Sequence, residues 1–240
     1  EVANHFLQQI ENGYSSTQSS QTELKTSEFS LPTLIRKTFD NNFLHLLAQH
    51  LYLVFVSLAL AIMIGMPLGV VCFYKPTIGQ AILSVTGVFQ TIPSLALLAF
   101  LISLFGVIGT IPAIAALFLY GLLPIIQNTH AGMSEVTKSM RQAACALGLS
   151  GYDQFRYIEL PLAFNVILSG IKVSAVLTVG NATLAAFVGA GGFGERIAQG
   201  LALNDTSMLL AGAIPSALLA LFIQYFFTML QNFSKNKSNV

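Results

Sequence analysis

Residues 142–161, QAACALGLSGYDQFRYIELP, have the types and the order expected of a surface that binds another protein. Ala143 and Ala144 lie among good helix formers, and their small side chains let a partner's groove approach a helix closely. Gly148 follows them as the residue type that ends helices in a left-handed conformation. The pattern predicts a short docking helix, a corner, and a second short helix that Pro161 closes. An ordinary amphipathic loop is the alternative interpretation.

The sequence offers little for catalysis or metal binding. The four histidines have no ligand spacing, and no nucleophile lies beside a base in a known pattern. The string from Gly189 to Gly194 matches G-x-G-x-x-G, but a hydrophobic segment precedes it where nucleotide-binding folds have a strand. The stretch from Gly189 to Gly194 instead predicts a mobile turn before a short helix at 195–203. No P-loop string occurs in the 240 residues, so we expect ATP hydrolysis only in a partner.

The composition indicates a membrane protein. Hydrophobic residues make up 54% of the sequence and charged residues 9%, whereas soluble domains carry about 25% charged residues. The net charge of +1 provides no basic field for binding nucleic acid. We therefore expect an all-α polytopic membrane protein with no nucleic-acid partner.

Five hydrophobic segments are long enough to cross a bilayer core of about 30 Å. The second is too long for one straight helix, and QTIPS at 90–94 predicts a kink or a break within it. Six spans are the alternative, but each half of that segment would then be short. The predicted spans cover residues 51–74, 78–107, 111–126, 162–188 and 209–230.

The spans define a predicted transmembrane domain at 50–231, with a polar loop at 134–161. Residues 1–30 are rich in Ser, Thr and Gln and predict a flexible polar tail. Residues 31–49 are mildly amphipathic, and two interpretations stay open: a helix on the membrane surface or a short soluble helix. Residues 232–240 form a second polar tail.

Lysine and arginine predict the orientation of the chain, because cytoplasmic loops carry an excess of both. The richer side includes the loop at 134–161 and the tail at 232–240, which we therefore expect in the cytoplasm. That side carries Lys75, Lys138, Arg141, Arg156, Lys235 and Lys237, and the other carries Lys25, Arg36, Lys37 and Arg196.

Several polar residues and a proline lie inside the predicted spans. Lys172 is the costliest, since a lysine near the bilayer centre costs about 2.5–3.5 kcal/mol on insertion scales. It is a pore-facing or interface charge, or it snorkels to the surface without a role. The others line a translocation path or hold helices together. The candidates are Gln90, Thr91, Pro93, Ser94, Lys172, Asn181 and Thr183.

The polar loop resembles the cytoplasmic EAA loop of permease subunits in ABC importers. That motif is EAA, three residues, glycine, nine residues and I-x-L-P. Gln142 stands where the family usually has glutamate, which puts in doubt any contact that needs a carboxylate. The resemblance implies that this loop couples an ATPase subunit to the spans. The matching residues are Ala143, Ala144, Gly148, Ile158, Leu160 and Pro161, after Gln142 in the first position.

Four further stretches resemble the glycine betaine, carnitine and choline permeases, a group of osmoprotectant importers with the type I ABC importer fold. The resemblance covers about residues 50–230. The stretches are HLYLVFVSLALAI from residue 50, QTIPSLALLAFLI from residue 90, IPAIAALFLYGLLPIIQNTHAG from residue 111 and TLAAFVGAGGFGERIAQGL from residue 183.

This resemblance implies a multi-pass protein of a bacterial inner membrane that works by alternating access. The implied partners are a second permease copy, membrane lipid, ATPase subunits that bind ATP and magnesium, and an extracytoplasmic substrate-binding protein or fused domain docking on 189–205. No cofactor is expected in this chain itself. Another betaine, such as ergothioneine, is an alternative substrate. A secondary carrier or a scaffold is a further alternative, but no Asp or Glu lies in a predicted span.

Overall fold

The computed structural model describes residues 31–238, with side chains for residues 31–234. The predicted tail at 1–30 lies outside the described residues. Within 31–238 the chain forms only helices and turns. The α-helices are α1 (Leu31–Thr38), α2 (Phe43–Tyr74), α3 (Pro76–Thr91), α4 (Ser94–Phe105), α5 (Thr110–Ser134), α6 (Lys138–Ala146), α7 (Gly151–Gln154), α8 (Leu160–Ala182), α9 (Gly194–Ala202) and α10 (Thr206–Ser238). A π-helical turn covers Phe155–Glu159, and a 3-10 segment covers Thr183–Val188.

The all-α membrane architecture is confirmed. In the described part of the chain, four helical segments are long and apolar enough to cross a membrane, or five if the bent pair α3–α4 counts as one span. The two halves of that pair meet at 104°. Ile92 has an extended backbone before Pro93, as expected because a proline disfavours helical geometry in the residue before it. The break therefore falls within the predicted segment 90–94.

Helices α2, α5 and α8 form the centre of the bundle and approach one another at small residues. A Cβ atom added to Gly69 of α2 would lie 2.4 Å from Thr129 Cβ of α5. One added to Gly170 of α8 would lie 2.7 Å from the Pro124 carbonyl oxygen. Glycine at such points lets helix backbones approach closely, which is how helices associate within a membrane.

The segment after Gly148 differs from the prediction that Pro161 closes a second short helix. The chain is helical without interruption over Gly151–Val188. Pro161 lies in the first turn of α8, and the preceding π-turn contains a wide bond from the Leu160 N–H to the Phe155 carbonyl. A proline lacks an N–H, so it is tolerated where the helical bond pattern already changes.

The two flanking segments also differ from their predictions. Residues 31–49 do not form one helix, because α1 ends at Thr38 and α2 begins at Phe43. The first spanning helix thus starts eight residues before residue 51, since 51 − 43 = 8. The predicted tail beyond residue 231 continues α10 as far as Ser238.

Residues 190–194 of the Gly-rich turn, which follows the 3-10 segment, are buried, and the mobility predicted for this turn stays a prediction. Gly191 and Gly192 have φ values of +86° and +84°, a conformation that favours glycine. The Gly192 N–H donates to Gln49 Oε1 at 3.0 Å. A Cβ atom on Gly194 would lie 1.8 Å from the Thr183 carbonyl oxygen. The glycines are therefore required for close packing against α2 and the 3-10 segment.

Candidate functional site

Helix α6 is a short, well-capped helix outside the bundle. Thr137 begins it by accepting a hydrogen bond from the Met140 N–H at 3.3 Å. Gly148 follows its end with φ +79°. The Gly148 N–H donates to the Cys145 carbonyl at 3.0 Å, and the Leu149 N–H to the Ala144 carbonyl at 3.1 Å. These two bonds form a Schellman motif, so the predicted turn at Gly148 is confirmed.

One face of α6 lies against the bundle and the opposite face is free. Ala144 is only 1% exposed, whereas Gln142, Ala143 and Ala146 are exposed. Leu147, at the end of the helix, is 80% exposed. Gln142 and Ala146 lie about 160° round the helix from Ala144, because each residue advances about 100°. A small-residue face beside an exposed leucine is suited to a partner's groove.

The buried side of this loop is held by charged and aromatic residues. Arg141 Nε lies 3.1 Å from Glu159 Oε1. The guanidinium of Arg141 lies 4.4 Å from the centre of the Phe73 ring, a cation–π contact. Tyr74 donates its hydroxyl hydrogen bond to Glu159 Oε2. Glu159, Arg141 and the two aromatic residues therefore join the loop to the end of α2.

Glu159 and Arg141 were not among the predicted site residues. Glu159 is 2% exposed although it lies in the most polar loop of the chain. A sequence signal existed, because a carboxylate beside the apolar Ile158 and Leu160 must find a partner if it is buried. Of the predicted neighbours, Leu160 packs against the buried cluster that contains Met133 and Ile167, Ile158 is half-buried and Pro161 is exposed.

Some of the predicted path residues meet at the bend between α3 and α4. Gln90 Nε2 donates to the Tyr120 carbonyl oxygen at 3.0 Å, and the Tyr120 hydroxyl donates to the Ile92 carbonyl oxygen. Ser94 and Asn181 line one small cavity together with Tyr120. The structure thus brings Gln90, Ser94 and Asn181 together around Tyr120, which sequence reasoning missed.

The remaining path candidates lie apart from this cavity. Lys172 Nζ donates to Gln231 Oε1 at 2.9 Å, which links α8 to α10. The hydroxyls of Thr91 and Thr183 each donate to the carbonyl oxygen three residues earlier at 2.8 Å, and Pro93 is exposed at the break. The seven candidates therefore do not form one site within this protomer.

The opposite end of α2 carries a second polar cluster. Arg196 is 2% exposed; its Nη1 donates to the Thr38 carbonyl oxygen at 2.7 Å, and it pairs with Asp40. Lys37 forms an ion pair with Asp205 and donates a hydrogen bond to its carboxylate. This hydrogen bond holds the pKa of the Asp205 carboxyl below its ordinary 3.8. Stabilisation from this pair is present above pH 3.8 and is lost as the pH falls through the lowered pKa.

Replacing Arg196 by glutamine should destabilise this end of the molecule. The variant leaves the Thr38 carbonyl and the Asp40 carboxylate without their charged donor, at a cost of about 2 kcal/mol after allowing for the exposure of Asp40. Thermal unfolding in detergent measures the loss. Arg156→Gln, which changes an exposed arginine at the other end, is the matched control and should leave the unfolding temperature unchanged. Equal shifts for both variants would contradict the assignment.

Comparison with known proteins agrees with this arrangement. Residues 52–235 match the model of the family described as "Binding-protein-dependent transport system inner membrane component". The chain is 38% identical to the glycine betaine/carnitine/choline transport system permease protein OpuCB of Bacillus subtilis, over 79% of this chain and 87% of the relative. It is 38% identical to the osmoprotectant import permease protein OsmW of Salmonella typhimurium, over 76% and 87%.

Among solved structures, the fold is similar to a chain of the MetNI methionine ABC transporter in an inward-facing conformation. The TM-score is 0.71 with 20% sequence identity, over 86% of this chain and 99% of that one. At this identity the likeness establishes the fold, which is that of a type I ABC importer permease. With most of its length matched by the family model, the chain belongs to the inner membrane components of binding-protein-dependent transport systems.

Proposed function

We propose that this chain is the permease of an ATP-driven importer for quaternary-ammonium or betaine-type solutes such as glycine betaine, choline and carnitine. The substrate class rests on the names of relatives about 38% identical over most of the chain. The permease role rests on α6, a capped helix with one buried and one exposed face outside the bundle. The chain then contributes the path, and separate subunits bind ATP and magnesium.

The exposed face of α6 is proposed to dock on the ATPase subunit, and α6 is called the coupling helix from here on. Gln142, Ala143 and Ala146 are exposed on this helix, and none of the three has a bulky apolar side chain. Gln142 is neutral where the family pattern has glutamate, so docking here relies on shape and apolar contact. The cations Lys138, Arg141 and Arg156 lie in the same loop, which supports a cytoplasmic position.

The end of the bundle around Arg196 is proposed to face the substrate-binding protein. The end of α9 supports this, because Leu201 in its last turn and Leu203 directly after it are 59% and 72% exposed. Asn204, in the turn that follows these leucines, has φ +52°. The next residue, Asp205, is held to α1 by its ion pair with Lys37. Exposed apolar side chains on a rigid base are typical of binding surfaces.

The solute is proposed to cross the membrane between two permease copies that lie side by side, as the coupling helices move. The bent helices α3 and α4 supply two polar groups next to Tyr120, Gln90 and Ser94. Alternation between outward- and inward-open states requires that ATP binding favour one state over the other. ATPase subunits docked on the coupling helices would supply that difference.

The substrate class is tested by reconstituting the permease with its ATPase subunit in liposomes. Binding protein loaded with glycine betaine, choline, carnitine or ergothioneine is then added, and ATP hydrolysis and uptake are measured. We expect at least one of the first three ligands to stimulate both, compared with empty binding protein. Stimulation by ergothioneine alone would move the substrate to another betaine. Uptake without any ATPase would contradict the importer and favour a secondary carrier.

A further inference from the structure

The carboxylate of Glu159 is the point where three separate elements of the cytoplasmic end meet. Its Oε1 lies 3.1 Å from Arg141 Nε on the coupling helix. Its Oε2 accepts a hydrogen bond from Tyr74, the last residue of α2. Its backbone ends the π-turn that leads directly into α8. One buried carboxylate therefore connects the coupling helix to two of the three central helices.

The Arg141 side of this connection is fixed from several directions. The guanidinium stacks over the Phe73 ring at 4.4 Å, and its Nη2 donates to the Val136 carbonyl oxygen at 3.2 Å. The Glu159 side chain is 3% exposed and the Arg141 side chain 31%. A charge pair held in this way keeps its geometry, because separating it would leave a buried carboxylate unpaired.

The π-turn gives the connection a place to bend. The wide bond between Leu160 and Phe155 replaces a regular helical bond, and single π-turns within α-helices occur frequently at functional sites. Pro161 directly after it removes a further backbone donor. The regular helical bond pattern is therefore interrupted between the coupling loop and α8, and the ion pair spans this interruption.

We propose that Arg141 and Glu159 are positioning residues that pass movement of the coupling helix to α2 and α8. The inference rests on the proposed docking of the ATPase subunit on α6. Without the ion pair, the coupling helix would still bind the ATPase. The chain would then bend at the π-turn, and the spans would not follow the movement of the coupling helix. ATP hydrolysis would then continue with less transport. The pair lies outside the matched motif positions.

The test uses the reconstituted importer and measures solute transported per ATP hydrolysed. The variants are Glu159→Gln, Arg141→Gln and both together, with Arg156→Gln as the control because Arg156 is an exposed cation in the same loop. We expect each single variant to assemble with the ATPase and to lower transport per ATP about tenfold, within the range reported for residues that couple two sites. The control should keep the wild-type ratio.

The double variant and Tyr74→Phe separate a transmission role from a folding role. Because the two charges act as a pair, the double variant should be no worse than either single one. Tyr74→Phe removes one hydroxyl from a half-exposed side chain and should lower the ratio by a smaller factor with assembly intact. Wild-type ratios in Glu159→Gln, or additive losses in the double variant, would overturn the inference. Failed assembly of Glu159→Gln with a normal ratio in Tyr74→Phe would overturn it too. If the wild type binds no ATPase, the proposed function fails instead.

Discussion

Replacing Gly69 by leucine should abolish folding of the permease. A Cβ atom at this position would lie 2.4 Å from Thr129 Cβ and 2.9 Å from the Ile126 carbonyl oxygen of α5. The backbone oxygen cannot rotate away as a side chain can, so α2 and α5 would have to separate. Overpacking in well-packed interiors costs about 1–3 kcal/mol and at times more. Size-exclusion chromatography in detergent should find no monodisperse protein.

A smaller substitution at Gly69 gives a folded variant whose free energy of unfolding can be measured. Gly69→Ala should lower the free energy of unfolding by about 3 kcal/mol. Gly87→Ala is the matched control, because nothing lies within 4 Å of a Cβ atom on that helical glycine. Alanine exceeds glycine in helix propensity by up to about 1 kcal/mol, so the control should be neutral or slightly stabilised. Similar unfolding temperatures for the two variants would show that α2 and α5 are not packed this closely.

Replacing Ala146 by arginine should detach the ATPase subunit and leave the permease folded. Ala146 lies on the exposed face, opposite the buried Ala144. An arginine there would be buried without a partner in the docked complex, at about 2 kcal/mol or more, which weakens association about thirtyfold. Binding of the ATPase subunit to immobilised permease measures the change.

The control for this variant is Ala202→Arg, which places the same side chain on an exposed alanine at the other end of the bundle. It should bind the ATPase subunit as the wild type does. The unfolding temperatures of both variants should equal that of the wild type, because neither alanine is buried. Wild-type ATPase affinity in Ala146→Arg would mean that the docking face lies elsewhere.

The features predicted well from the sequence are those determined by local chemistry. Gly148 ends α6 because a left-handed residue after a helix favours glycine, and neighbouring residues alone reveal this. The break at 90–94 follows from a proline within an apolar run, and the structure has it at Ile92 and Pro93. Hydrophobic length predicts five spans, and the described residues contain five if α3 and α4 count as one bent span and four if they do not.

The features missed are those that depend on distant parts of the chain. Arg196 was placed in a polar connection, yet it is buried because α1 lies over it and supplies the Thr38 carbonyl. Glu159 pairs with a residue 18 positions earlier, since 159 − 141 = 18, and with Tyr74 of α2. Pro161 resembled a helix end because the π-turn that accommodates it has no local signature. Pairing across helices is set by tertiary packing, which a single sequence does not display.

The central claim, that the exposed face of α6 is the docking site of the ATPase subunit, is tested most directly by cysteine labelling. Cys145 and Cys72 are the two cysteines of the sequence and are replaced by serine. Gln142→Cys then places one thiol on the exposed face, and Ala202→Cys in the same background is the control. The rate of maleimide labelling is measured with and without the ATPase subunit. We expect the ATPase subunit to slow labelling at position 142 about tenfold and to leave labelling at position 202 unchanged. Unchanged labelling at position 142 in a complex that hydrolyses ATP would contradict docking on this face.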